Sequence, residues 1–320
     1  MNPPMPIRRW PLLLALLPLL LGLGVYGQLW RGWADGFETT LARWFPGARP
    51  VATGFPYRLE AELADVALAH DGGVAVGVKA DRLRLNRGPW RPELTVFQGQ
   101  GVALFARLGG LTPRLASAVG TASLKLDGDR LARLSIVLPA ARGSFGLGPD
   151  AVAEQVELHV RELAGSPQGG GVLPPRGQLV LNMAGLQLGQ GAPISLAGEA
   201  TVRGPRRLDD YRRWATGGGS VDATLAGSDA TGELFALAAT IVSLEGGLRL
   251  AGTITTMCPL AVQAALAGAD PPREFRLRAP VRLAVETTLP AGGPVALSGL
   301  PADLESRARR RQLPPCPRLG

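Results

Sequence analysis

Few side chains in this 320-residue chain are suited to acid–base, nucleophilic or metal chemistry. There are two histidines, His70 and His159, and two cysteines, Cys258 and Cys316. His70 precedes Asp71-Gly72-Gly73, a turn signal, which puts it at the end of a strand. His159 falls on the polar side of an alternating stretch and is expected to face solvent. The two are not at a metal-ligand spacing, and the zinc-helix motif H-E-x-x-H is absent. So are the nucleophile elbow G-x-S-x-G and the phosphate cradle G-x-x-x-x-G-K. A hydrolase built on this chain would need an atypical site, with a serine and an acid converging in space on one of the histidines. Asp209-Asp210 sit on a short charged stretch that reads as a solvated helix face. The chain is therefore expected not to be an enzyme. No catalytic, cofactor-binding or metal-binding residue is assigned, and no cofactor is expected.

Two cysteines are too few for a zinc site on their own. In an oxidising compartment a Cys258–Cys316 disulfide would be stable and would pin the end of the chain to the body. The alternative is a buried Cys258 acting as a small hydrophobe, with Cys316 a free thiol in the tail. Both alternatives stand at this level.

These sparse groups must be carried by a large framework. Hydrophobic residues make up 46% of the chain, enough for a sizeable core and against wholesale disorder. The 43 glycines and 28 prolines suggest many turns and short elements. The net charge of +8 does not mark a nucleic-acid surface, because it is concentrated at the ends. Arg8, Arg9 and Arg31 flank the N-terminal apolar run, and Arg307, Arg309, Arg310, Arg311 and Arg318 crowd the tail. No nucleic-acid partner is expected. The tail arginines could touch anionic headgroups, but a flexible solvated end is the simpler expectation.

Residues 10–30 carry no charge and are rich in leucine, matching the roughly 20 apolar residues that span a bilayer core. Trp10 at one end, and Tyr26, Trp30 and Trp33 at the other, fit interfacial belts. Arg8 and Arg9 on the short leading arm keep it cytoplasmic by the positive-inside rule and send the body across. The run is longer than the apolar core of a cleaved signal peptide, and Val25-Tyr26-Gly27 is a poor cleavage site. The formal G-x-G-x-x-G at Gly22, Gly24 and Gly27 is a chance match, since no strand precedes it. Beyond the run, Trp30, Trp33, Phe37, Leu41, Trp44 and Phe45 recur at helical spacing up to Pro46-Gly47. They define a stem helix that lies on the membrane or packs on the body.

From Phe55 onward the period becomes two. Leu59, Ala61 and Leu63 alternate with Arg58, Glu60 and Glu62; Val156, Leu158 and Val160 alternate with Glu157, His159 and Arg161. Further strands are expected at 74–86, 94–106, 122–126, 131–138, 178–188, 194–202, 221–225, 233–242, 248–255 and 275–289. Short helices are expected at 208–215 and 259–266. The fold class is mainly β: a single N-terminal transmembrane helix, then a large antiparallel β-sheet body with two or three short helices. The expected organisation is a cytoplasmic arm at 1–9, the span at 10–30 and the stem at 31–46. Two β halves follow at 47–164 and 177–300, joined by a Gly/Pro-rich linker or loop at 165–176. A flexible tail occupies 301–320.

Three short motifs in this order carry a resemblance. They are Gly54-Phe55-Pro56-Tyr57-Arg58-Leu59, Gly88-Pro89-Trp90-Arg91-Pro92, and Arg212-Arg213-Trp214 followed by Gly217-Gly218-Gly219. With the hairpin that follows, the chain resembles domain-of-unknown-function family 2125, bacterial envelope proteins with an N-terminal membrane segment. The resemblance spans roughly residues 10–266 and is weaker beyond. It implies membrane attachment and supplies no catalytic residues.

The expectation is thus a single-pass protein of the bacterial inner membrane, with its N-terminus cytoplasmic and its body periplasmic. It binds a lipid-like ligand or an envelope partner protein through a face of the sheet. An exported hydrolase with an atypical site, or a purely structural envelope component, are the alternatives.

Overall fold

The structure, a computed structural model, describes residues 10–71, 75–107, 112–144, 150–165, 173–208, 210–244, 247–289, 295, 297–301, 303 and 313–319. The side chains of residues 10–15, 71 and 289 fall outside the description.

Thirteen strands form one sheet whose spatial order follows the sequence. They are β1 (Leu59–Asp71), β2 (Ala75–Arg87), β3 (Leu94–Arg107), β4 (Arg114–Asp127), β5 (Arg130–Ser144), β6 (Ala151–Glu162) and β7 (Pro175–Leu188). The series continues with β8 (Ile194–Arg203), β9 (Ser220–Asp229), β10 (Gly232–Leu244), β11 (Gly247–Thr256), β12 (Val281–Leu289) and β13 (Leu297–Ser298). Every neighbouring pair is antiparallel. The mainly β expectation holds. Most expected strands are present, several of them longer than the alternation indicated. The two expected halves are stretches of one continuous sheet, because β6 pairs with β7 from Ala151↔Leu188 to Glu162↔Gly177. Most of the expected linker, 166–172, lies outside the described residues, as do parts of the turns at 72–74, 245–246 and 292–293.

A crease runs across β1 to β8. The ladder between β1 and β2 skips Asp65 and Asp81, and that between β3 and β4 skips Gly101 and Ala118. The β5–β6 ladder skips Ala140 and Glu154, and a register shift separates Met183 from Leu186 in the β7–β8 pair. Asp65, Gly101, Ala140 and Gly185 all have positive φ there (51°, 61°, 47° and 60°). Only the β7–β8 pair gains an extra residue there, as a bulge at Gly185; in the other three pairs both strands skip one residue and the register is kept. At Gly101 the requirement is also spatial, since a Cβ would lie 2.0 Å from Asp81 Oδ2. The break resets the alternation on both strands. Buried positions jump by three across the crease, as in Leu63/Val66, Leu138/Ala141 and Met183/Leu186, so apolar side chains stay on one face along the whole strand.

α1 (Trp10–Trp44) is a single unbroken helix with Pro18 inside it. The expected span and stem are therefore one rod with no joint at residue 30. Its second half packs on the sheet, with Ala34, Phe37, Leu41 and Phe45 buried and Trp30, Trp33 and Trp44 beside them. That is the face expected from the sequence. Residues 16–25 are bare, with Leu17, Leu19, Leu20 and Leu21 all exposed. Among the described residues, no helix is long and apolar enough to cross a membrane.

α2 (Tyr211–Thr216) is shorter than expected because Asp210 caps it, accepting from the Arg212 and Arg213 N–H groups. α3 (Pro259–Ala267) has Pro at its first position and ends at Gly268 in the left-handed region. Residues 275–280 do not extend β12. Phe275 instead bridges to Pro315. The tail departs from the expected flexible end, because residues 313–319 are docked. Cys316 is disulfide-bonded to Cys258, and its N–H donates to the Glu274 carbonyl. Ala192 N–H donates to the Arg318 carbonyl, and Leu319 is buried. The tail arginines 307 and 309–311 lie outside the described residues.

Candidate functional site

The face of the sheet that meets α1 is identified by Arg87, whose guanidinium lies 5.0 Å from the Phe37 ring centre and 5.5 Å from that of Trp44. Its Nε donates to Thr95 Oγ1 at 3.0 Å, and burial lowers its pKa. Directly paired residues in an antiparallel ladder point to the same face. The row Leu59↔Arg87↔Thr95↔Leu124↔Leu134↔Val160↔Leu179↔Ala200↔Ala223 therefore lies on the α1 face across nine strands.

Burial along this face is uneven. α1 covers the row at β1–β3, where Leu59, Arg87 and Thr95 are buried. From β4 onward Leu124, Leu134, Val160 and Leu179 are only half-buried. One row deeper, Ile136, Leu158 and Leu181 are still half-buried. At the crease, Leu138, Val156 and Met183 are buried. This half-buried apolar strip, the trough, lies toward the strand ends nearest the start of β1 and gives way to buried core at the crease.

The β8–β9 connection closes over this end. The Leu208 side chain stands over the α1 face at Gly177, where an added Cβ would be 3.0 Å from Leu208 Cδ1. Arg207 beside it reaches the Asp129 carboxylate and the Glu162 carboxylate, each at 2.5 Å. It also donates to the Asp129 carbonyl at 2.7 Å. Hydrogen bonds from Arg207, then its charge, hold the Asp129 carboxyl below its usual range; the same two acids raise the Arg207 pKa.

A second feature is an aromatic collar where the bare stretch of α1 meets the body. Tyr26 packs against Trp33, Phe55 and Trp90 at 6.2, 6.0 and 6.2 Å between ring centres. Trp30 meets Phe55 edge-on at 5.4 Å, and Trp33 meets Trp90 at 4.8 Å. The Tyr26 hydroxyl donates to the Pro56 carbonyl at 2.5 Å, and Trp30 Nε1 donates to the Arg58 carbonyl at 3.3 Å. The peptide between Phe55 and Pro56 is cis. The first two motifs that carried the family resemblance thus meet on one helix. The third is structural too: Trp214 Nε1 donates to the Arg203 carbonyl at 2.7 Å, and its ring sits against Gly219.

The structure does not bring the two histidines together. His70 is exposed near the far end of β1, and His159 lies five strands away on β6, 3.7 Å from Glu157. Glu274 lies within 4.8 Å of Cys258 and Cys316, but the two sulfurs are bonded to each other, so neither is a thiolate ligand. Glu274 instead caps α3, accepting from Leu260 N–H at 3.1 Å and Ala261 N–H at 2.8 Å. Burial raises its pKa, outweighing the lowering by those two bonds. On the opposite face, a shallow depression of about 610 Å³ over β7–β12 is floored by Ala197, Ala226, Ala236 and Ala238. Its lining is mainly alanine and threonine, with Glu199 and Arg282 at its border.

Residues 48–285 match the family model described as an uncharacterized protein conserved in bacteria (DUF2125), and the chain belongs to that family. No curated protein and no solved structure matches it.

Proposed function

We propose that this protein is a non-enzymatic, membrane-anchored component of the bacterial envelope that holds the acyl part of a lipid-like ligand in the trough on the α1 face. The body is periplasmic and the N-terminus cytoplasmic. The observation that carries the reading is the half-buried apolar row Leu124, Leu134, Val160 and Leu179, continuous across four strands. The part of this row still open to water forgoes roughly 25 cal/mol for each Å² that a ligand could cover. Its composition suits a ligand site, which is mostly apolar with a few charged groups at its border.

Support for the anchor comes from the sequence. The uncharged run begins at Trp10, whereas the described side chains begin at Leu16. The exposed leucines at 16–23 have no protein cover, which a bilayer would supply.

The test is photo-crosslinking of the full chain in nanodiscs containing a phospholipid with a photoreactive acyl chain. Adducts on β4–β7, at or beside Leu134 and Leu179, are the expected result. Adducts confined to α1 would leave the trough without a ligand and make the protein a structural part.

A further inference from the structure

We propose that the body does not hang at a distance from its anchor but sits directly on the bilayer, with the aromatic collar in the headgroup layer. This rests on the reading of residues 10–30 as a membrane span.

The argument is one of depth and rigidity. Twenty steps of helix rise about 30 Å, the thickness of the hydrocarbon core. A span starting at Trp10 therefore surfaces at about residue 30, the level of Tyr26, Trp30 and Trp33. Those residues hold Phe55 and Trp90 in ring contact, so the loops before β1 and between β2 and β3 are at the same height. The helix is unbroken through this level, so no hinge lifts the body away. Three large aromatics at the collar remain open to solvent: Phe55 is 53% exposed, Trp90 69% and Tyr57 80%. Tyr and Trp are the side chains that favour a membrane interface, with an apolar body and a polar tip. Arg31, Arg58 and Arg91 stand exposed among them, suited to phosphate headgroups. In a water-filled compartment this patch would be an uncovered apolar surface; in the headgroup layer each part has a partner. The placement also brings the end of the trough nearest the start of β1 toward the membrane, because β1 begins at Leu59, beside the collar.

The experiment places an environment-sensitive fluorophore on introduced cysteines in the full chain, in nanodiscs of phosphatidylcholine and phosphatidylglycerol with brominated chains. The native cysteines are bonded to each other and do not compete for label. The sites are Leu20→Cys in the exposed stretch of α1, Tyr57→Cys at the collar, and His70→Cys roughly 35–40 Å along β1. The expected result is quenching at position 20 by bromines deep in the chain, quenching with a blue shift at position 57 by bromines near the glycerol, and no quenching at position 70. Quenching at 20 with no difference between 57 and 70 overturns the seating while leaving the anchor intact. No quenching at 20 removes the anchor, and the seating with it.

Discussion

Arg207 sets its guanidinium 2.5 Å from the Asp129 carboxylate, although the two residues are 78 apart in sequence and four strands lie between their connections. The contact spans the end of the trough. Both partners are largely in solvent, where an ion pair contributes little to stability. Arg207→Ala is therefore expected to leave the unfolding midpoint nearly unchanged while speeding the exchange of a fluorescent lipid from the protein. An unchanged exchange rate, measured by stopped flow against acceptor vesicles, would remove the loop from any gating role.

The trough and the core beneath it should respond differently to substitution. Leu179→Asn, on the half-buried row, is expected to cost about 1 kcal/mol of stability and to abolish lipid cross-linking. Leu138→Ala, two rows deeper and 1% exposed, is expected to cost about 2–5 kcal/mol through the cavity it leaves, with cross-linking retained in the protein that folds. Chemical denaturation and cross-linking yield together distinguish the two. Equal losses of binding would mean that the row is ordinary core.

How much of this was legible in the sequence differs from element to element. The period-two stretches announced the strands, and the helical spacing from Trp30 to Phe45 announced the packed face of α1. The crease was not legible. Leu63 and Val66 share a face because the alternation breaks at Asp65, which has a positive φ; a strict alternation would have placed Val66 outside. The trough was equally hidden, because it depends on which strands α1 leaves uncovered, a tertiary matter that no local pattern encodes. The family motifs are separate in sequence, and only the fold shows that Phe55 and Trp90 converge on Tyr26. Glu274 gave no signal, since it caps α3 from residues that follow the helix in the chain.

Glu274 makes a pH prediction with a definite sign. Burial raises its pKa above the usual glutamate range, so the folded protein holds that proton more tightly than the unfolded chain. Stability from this group is then present below the ordinary glutamate pKa and declines as pH rises through the folded value. Glu274→Gln carries no charge at any pH and is expected to flatten that decline. Parallel profiles of Tm against pH for the two proteins would refute the assignment.

The disulfide closes a separation of 58 residues and ties the docked tail to α3. Cys316→Ser is expected to cost about 2–4 kcal/mol, the usual worth of such a link. Backbone amides such as Cys316 and Arg276, which bond to Glu274 and Pro314, should exchange faster with deuterium. Unaltered protection there would show that the tail is held by packing alone.

The account turns on whether the trough carries a ligand. Native mass spectrometry of the full chain, released from membranes in mild detergent and followed by lipid extraction, measures this directly. The account predicts one tightly held lipid per chain, lost in Leu179→Asn and kept in Arg207→Ala at equilibrium. A wild-type protein that emerges folded and empty would contradict it.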